Sequence, residues 1–353
     1  MKRFLCSLLA VGMVLSFSAC GGKASAENSS SGNTESAASA VASAAVSEAA
    51  SAAGSAGGGQ VTIGFSPYTL TNEYFSAVLK GVQAGCDKLG YKLLYYDPQN
   101  NATTQASQIE DMLSRGIKAL VYIPQDSSGA RTICQECKKA GVKVINIDNV
   151  VQKSDYDVVD AVIASDNEGL GKLSGQWVAK HYPNGANVLI VHLQTAQSCV
   201  INVQGFWDGI KETKGSLDGY KNIQTVEGGG ATDVSFKAVS DALQAHKDIN
   251  VIYCINDTSA AGAIKAVQEA GMTGKISVLG KDAAPIGKHA ISEGTEAQSS
   301  GQKPTYMGYT AVQYAPKLLG GEKVPFNTAV PAYNVDSSNI KSFNLDSWDT
   351  LEN

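Results

Sequence analysis

Short polar side chains recur in this chain at one kind of place, beyond the end of a run of apolar and β-branched residues. Thr71, Asn72, Tyr74 and Phe75 come after VTIGF, and Asp148 and Asn149 after VKVINI. Asp166 follows DAVIAS, and Gln194 and Gln197 follow NVLIVHL, with Asn202 a little further on. Asn256 and Asp257 follow NVIYCI, and Asp282 follows KISVLGK. Amides offer a donor and an acceptor together, and carboxylates offer acceptors. The rings of Tyr74 and Phe75 offer flat apolar faces. A small polyol such as a sugar needs that mixture. Basic side chains are scarce at these places and no glycine-rich phosphate loop is present, so a phosphorylated ligand is not expected. Taken singly, Asn72, Asn256 and Asp257 also read as caps or turn formers, and Tyr74 and Phe75 as core. Their shared location carries the functional reading.

Catalytic patterns are missing. His181, His192, His246 and His289 fall in four separate elements, with no HExxH, no GxSxG and no triad-like spacing. The glycines 228–230 lack a nucleotide fingerprint. Cys134 and Cys137 form CQEC, but they sit in a helical pattern with Ala130, Ile133 and Ala140. That spacing reads as small buried helix residues rather than a redox or metal motif. Cysteines number seven. Setting aside Cys6 and Cys20 leaves Cys86, Cys134, Cys137, Cys199 and Cys254, an odd set that suggests no disulfide framework. No enzyme activity, cofactor or metal is expected. The net charge is −5 with no basic block, which argues against nucleic-acid binding.

The elements that must position these residues alternate in type. Strands are expected at 61–65, 91–96, 117–123 and 142–147, with helices at 73–89, 103–115 and 128–140 between them. A second series follows. Strands at 160–165, 187–193, 220–226, 250–255 and 275–280 are separated by a helix that Asn167 is expected to cap and by helices at 200–213, at 232–245 and at 257–270, and a last helix runs through Ile291. Strict alternation with short loops means doubly wound parallel α/β sheets. There are too many units for one sheet, so two lobes of the same design are expected. In such sheets ligands bind beyond the carboxyl ends of the strands, which is where the polar residues gather.

The first sixty residues are of another kind. Lys2 and Arg3 precede an apolar run from Phe4 to Phe17 that is too short to span a bilayer. Ser18, Ala19 and Cys20 follow, and the stretch resembles a bacterial lipobox, with Phe17 where that motif prefers Leu. Residues 1–19 then form a lipoprotein signal peptide and Cys20 receives the lipid. Residues 20–59 are nearly all Ser, Ala and Gly and read as a disordered tether.

The body resembles a known family. The stretch from IGFSPYTLTNEYF through LVYIPQDSSG, and then IASDNEGLGKLSGQWVAK, VIYCINDTSAAGAIKAVQEAG and VLGKDAAPIG, are similar in order to the ribose-type periplasmic sugar-binding proteins of ABC transporters. The resemblance covers about residues 61–335. Effector domains of lac-repressor-type regulators share that fold but carry a DNA-binding head, where this chain has a lipoprotein leader. The resemblance implies two α/β lobes joined by three crossings. The N-lobe would be 60–164 with 303–330, and the C-lobe 165–302 with 331–345, leaving 346–353 as a tail. It also implies a sugar held between the lobes and hinge closure on binding. Asn72, Tyr74 and Phe75 match the first-loop Asn and stacking aromatics, and Asp148 matches the Asp after the fourth strand. Asn256 and Asp282 match the polar contacts of the C-lobe, and Gln302 a glutamine at a crossing. Two positions depart. Asn149 and Asn202 stand where the ribose type has arginines, so both guanidinium forks are missing and ribose itself is in doubt. The glycines 228–230 replace a region that supplies an aromatic in the ribose type.

The reading of the chain alone is therefore an extracytoplasmic, lipid-anchored, monomeric solute-binding protein that delivers a monosaccharide or related polyol to an ABC permease, on a Gram-positive surface. The alternative from another class is a sensor that docks on a histidine kinase or chemoreceptor.

Overall fold

A computed structural model describes residues 60–348. The leader, the lipidation at Cys20, the tether and residues 349–353 lie outside the described residues.

The chain alternates as its periodicity predicts. The first series is β1 (Thr62–Ser66), α1 (Glu73–Leu89), β2 (Lys92–Tyr95), α2 (Ala102–Ser114), β3 (Ala119–Tyr122), α3 (Ala130–Lys139), β4 (Lys143–Ile147) and β5 (Ala161–Ser165). The second is α4 (Asn167–His181), β6 (Ala186–His192), α5 (Gln197–Lys214), β7 (Tyr220–Glu227), α6 (Thr232–Ala245), β8 (Val251–Cys254), α7 (Asp257–Glu269), β9 (Ser277–Asp282), α8 (Pro285–Glu293) and β10 (Gln298–Gly301). The chain ends with α9 (Pro304–Leu319), β11 (Asn327–Val330) and β12 (Tyr333–Asp336).

Two six-stranded sheets result, ordered β11-β5-β4-β3-β1-β2 and β12-β10-β9-β8-β6-β7. The first is parallel throughout. The second is parallel except for β12, which runs antiparallel to β10 at the edge. The repeat of strand and helix does not foresee that reversal. It comes from a short link out of β11 that leaves no room for a crossover helix. The chain passes between the sheets after β5, after β10 and after β11. Central strands such as β3 and β8 are buried along their whole length because helices cover both faces.

Helix α1 shows how sequence sets the packing. Its buried stripe is Tyr74, Ala77, Val78, Gly81, Val82, Gly85 and Cys86, at helical spacing. A Cβ on Gly81 would lie 2.0 Å from the Thr305 carbonyl oxygen of α9, so only glycine allows that approach. The second series repeats the device. A Cβ on Gly175 of α4 would lie 2.0 Å from the Phe206 carbonyl of α5.

The five cysteines of the body are all buried and unpaired, Cys134 and Cys137 among them on the inner face of α3. The segment after β12 returns along α8. Lys288 donates to the carbonyls of Asn344, at 2.7 Å, and of Ser347, and His289 lies 2.7 Å from Asp346. Trp348 then sets its ring edge-on to Tyr74 of α1, with centroids 5.8 Å apart.

Candidate functional site

The carboxyl ends of both sheets face one cleft, with a volume of about 180 Å³. Its lining includes Asn72, Tyr74, Phe75, Asp148, Asn149, Asn256, Asp282 and Gln302 of the sequence-predicted set. Asn202 is the exception. It is fully buried in α5, accepts the Tyr253 hydroxyl at 2.6 Å and donates to the Asn167 carbonyl at 3.3 Å. Its position in the second turn of α5 places it under the helix, against Tyr253, and not among the cleft-lining residues. Asn149 borders the cavity, but its amide is turned into the first lobe. There it donates to the Pro124 carbonyl at 2.8 Å and accepts from Ser127 at 3.2 Å.

The wall from the first sheet is aromatic. Tyr68 stacks on Phe75 at 5.6 Å, and Phe75 meets Tyr74 edge-on at 5.2 Å. Asn72 has two duties: its side-chain oxygen caps α1 by accepting the Tyr74 N–H at 2.9 Å, and the residue lines the cavity. Gln105 of α2, almost wholly buried, clamps this first loop. It donates to the carbonyls of Pro67 at 3.0 Å and Ile123 at 2.9 Å, and accepts from the Gln125 N–H at 3.0 Å.

The two cleft carboxylates are joined by a chain of hydrogen bonds. The Tyr74 hydroxyl donates to Asp148 Oδ1 at 2.6 Å, with Gln302 Oε1 sharing the same hydrogen at 3.3 Å. Gln302 Nε2 donates to Asp282 Oδ1 at 2.7 Å. Gln302 lies on the crossing between β10 and α9, so the chain links the first sheet, a crossing and the second sheet. Both carboxylates sit on left-handed backbone, with φ 60° at Asp148 and 118° at Asp282, followed by Ala283 at 50°. Such geometry in non-glycine residues stores strain and clusters at functional sites. The Asp282 turn is braced from behind. The Ala283 N–H donates to Ser299 Oγ at 2.9 Å and the Ala284 N–H to Asp257 Oδ2 at 2.7 Å. Ser299 in turn donates to Asp257 Oδ1 at 2.6 Å. Asp257 is thus a support for the site and is absent from the lining.

Asn256 repeats the double role of Asn72 on the other wall. It caps α7 by accepting the Ser259 N–H at 2.8 Å and donates to the Gly230 carbonyl at 3.2 Å. The latter bond pins the 228–230 loop, which opens toward the cavity with Gly229 and Gly230 at positive φ.

Charge in the cleft is confined to Asp148, Asp282 and Lys281. Burial pushes the Asp148 carboxyl up, against the pull of Lys281 and the Tyr74 hydrogen bond. Burial also pushes Asp282 up to about 7, opposed by Lys281 and Gln302. Sequence reasoning missed Lys281, Tyr68, Thr69 and the supports Gln105 and Ser299. A lysine inside the apolar run ISVLGKD was the available signal for the first of these. The supports left none, because a buried glutamine in a helix reads as a surface residue.

Comparison with known proteins fits this arrangement. Residues 63–323 match the family described as periplasmic binding protein domain. The ribose import binding protein of Escherichia coli is 30% identical over 266 residues, covering 74% of this chain and 86% of that protein. The ribose import binding protein of Bacillus subtilis is 29% identical over 280 residues, covering 77% and 86%. Among solved structures, a Caulobacter myo-inositol binding protein bound to myo-inositol superposes with a TM-score of 0.73 at 25% identity, covering 80% of this chain and 95% of that one.

Proposed function

The chain belongs to the ribose type of the periplasmic binding proteins, and on that premise we propose that it captures one small sugar or sugar-like polyol in the cleft, outside the cytoplasm, for an ABC importer. The observation that carries the reading is the chain Asp148–Tyr74–Gln302–Asp282, which ties an acceptor on each wall to a crossing between them. A ring seated there meets the stacked faces of Tyr68 and Phe75 on one side and carboxylate and amide groups around its edge. Asn72, Tyr74, Phe75, Asp148, Asn256, Asp282 and Gln302 are the contacts we assign to it. Asn149 forms wall, and Asn202 supports the core behind it. The ligand is bound and released unchanged. Closure of the lobes is what the permease would read. The N-terminal pattern ending at Cys20 and the Ser/Ala/Gly stretch after it support a lipid-anchored monomer standing off a Gram-positive cell surface.

A thermal-shift screen of the purified protein against pentoses, hexoses, sugar alcohols and cyclitols tests the reading. A ligand at about 100 times its Kd adds ~2.7 kcal/mol of stability, a rise of several degrees in Tm. Cooperative melting with no shift for any of these compounds would refute sugar capture.

A further inference from the structure

One charged group of the cleft stands outside the hydrogen-bond chain. Lys281 is the second-to-last residue of β9, is only 6% exposed and lines the cavity. Its ion partner is Asp282, at 3.8 Å, which is too long for a hydrogen bond. Among the described residues its ammonium donates no hydrogen bond. An ammonium has three donors and no acceptor capacity, and leaving them unmade in a buried site is costly. Burial pushes its pKa down, but the carboxylates of the cleft, Asp282 first and then Asp148, outweigh that, and the net direction is upward. The side chain is therefore a cation and not a nucleophilic amine.

The rest of the cleft explains why a donor is wanted. Lys281 is the one cation among the lining residues, and the amides of Asn149 and Asn202 are engaged elsewhere. We propose that Lys281 is a specificity-determining ligand contact, its ammonium donating to a hydroxyl or ring oxygen of an uncharged polyol. The inference rests on the sugar-binding reading above. The placement of one donor between two acceptors selects the ligand class. An acidic sugar would bring a carboxylate against Asp148 and Asp282, and an amino sugar would bring a second cation against Lys281. A neutral ring satisfies the ammonium and offers hydroxyl hydrogens to both carboxylates. Lys281 extends from the second sheet and Asp148 from the first, so their attraction also draws the walls together over the ligand.

The test is calorimetric titration of the purified protein and its Lys281→Met and Lys281→Gln variants. The probes are D-ribose, D-xylose, D-allose, D-galactose, myo-inositol, D-galacturonate and D-galactosamine. Expected is tightest binding of a neutral probe by the wild type and at least a tenfold loss for it in each folded variant. The unliganded variants should melt below the wild type, since Asp282 loses its buried counter-charge, and binding is compared at a temperature where each variant is folded. Either folded variant binding within twofold of the wild type, or a wild type that prefers a charged probe, overturns the proposal. A wild type that binds none of the probes overturns the sugar-binding reading and this inference with it.

Discussion

Replacing Glu296 by Gln should flatten the pH dependence of the protein's thermal stability. Asp257 and Glu296 converge over Gly280, where an added Cβ would stand 2.2 Å from Asp257 Oδ1 and 2.3 Å from Glu296 Oε1. Both residues are buried, and neither Glu296 oxygen has a hydrogen-bond donor. Two acceptor groups face each other, and a proton on one of them supplies the missing donor. Burial, reinforced by the charge of Asp282, accordingly pushes Asp257 up to about 8, and burial with the charge of Asp257 pushes Glu296 well above the usual carboxylate range. The other titratable neighbours are Cys254 and Lys281.

Unfolded Asp and Glu titrate near pH 4. From there to about pH 8 the folded chain holds protons that the unfolded chain has lost. Stability from this pair is full below about pH 4 and is lost as pH rises through the folded values. Each retained proton contributes a slope of about 1.4 kcal/mol per pH unit, or ~3 kcal/mol between pH 5 and pH 7. For a body of this size that is a fall of roughly 6–12 °C in Tm. A glutamine amide donates to Asp257 without a titrating proton, so the variant should lose most of this slope. It should melt near the wild type at pH 5 and above it at pH 8. Asp282, pushed up to about 7, supplies a fall that both proteins keep. Scanning fluorimetry of the two unliganded proteins from pH 5 to pH 9 is the measurement. Parallel curves would refute the shared proton.

Tyr74→Phe removes the donor to Asp148 and Gln302 while keeping the ring. A buried acceptor left unpaired costs about 1–3 kcal/mol, so the unliganded variant should melt several degrees lower, and sugar affinity should fall about tenfold in titration. On the proposed lipid anchor, Cys20→Ser should release the protein from the membrane, because acyl chains contribute about 0.8 kcal/mol per buried CH₂. Detergent phase partition checks this, and a wild type found in the aqueous phase would refute the anchor.

The alternation of strand and helix was legible because period-2 and period-3.6 patterns each bury one face, and the cleft followed from it, since strand ends converge in parallel sheets. Asn72 and Asn256 were legible as caps and as candidate site residues, and in the structure both cap a helix and line the cleft. What stayed hidden depends on distant contacts. The reversed β12 is fixed by a short link and its pairing with β10. The engagement of Asn202 with Tyr253 requires knowing which side of α5 faces β8. Lys281 hides in an apolar run, and its role emerges only when the strand end is seen to open on a cavity bearing two carboxylates.

The cleft carboxylates are held by protein groups outside the cleft. Backbone strain of about 1–3 kcal/mol at each left-handed aspartate would relax unless neighbours held it. At Asp282 the holding groups are Ser299 and Asp257, which take the next two N–H groups of the turn. At Asp148 the backbone N–H is tied to the Ile163 carbonyl at 3.0 Å and the side chain to Tyr74. Tyr74 is itself backed by Trp348, whose segment is fastened to α8 by Lys288 and His289. Each acceptor therefore reaches the cavity from a frame fixed by residues outside it, so ordering of the cleft makes little demand on the ligand's binding energy. The exception is the ammonium of Lys281, whose ion partner Asp282 lies 3.8 Å away, beyond hydrogen-bond distance. On the proposal above, that ammonium asks the ligand for an acceptor.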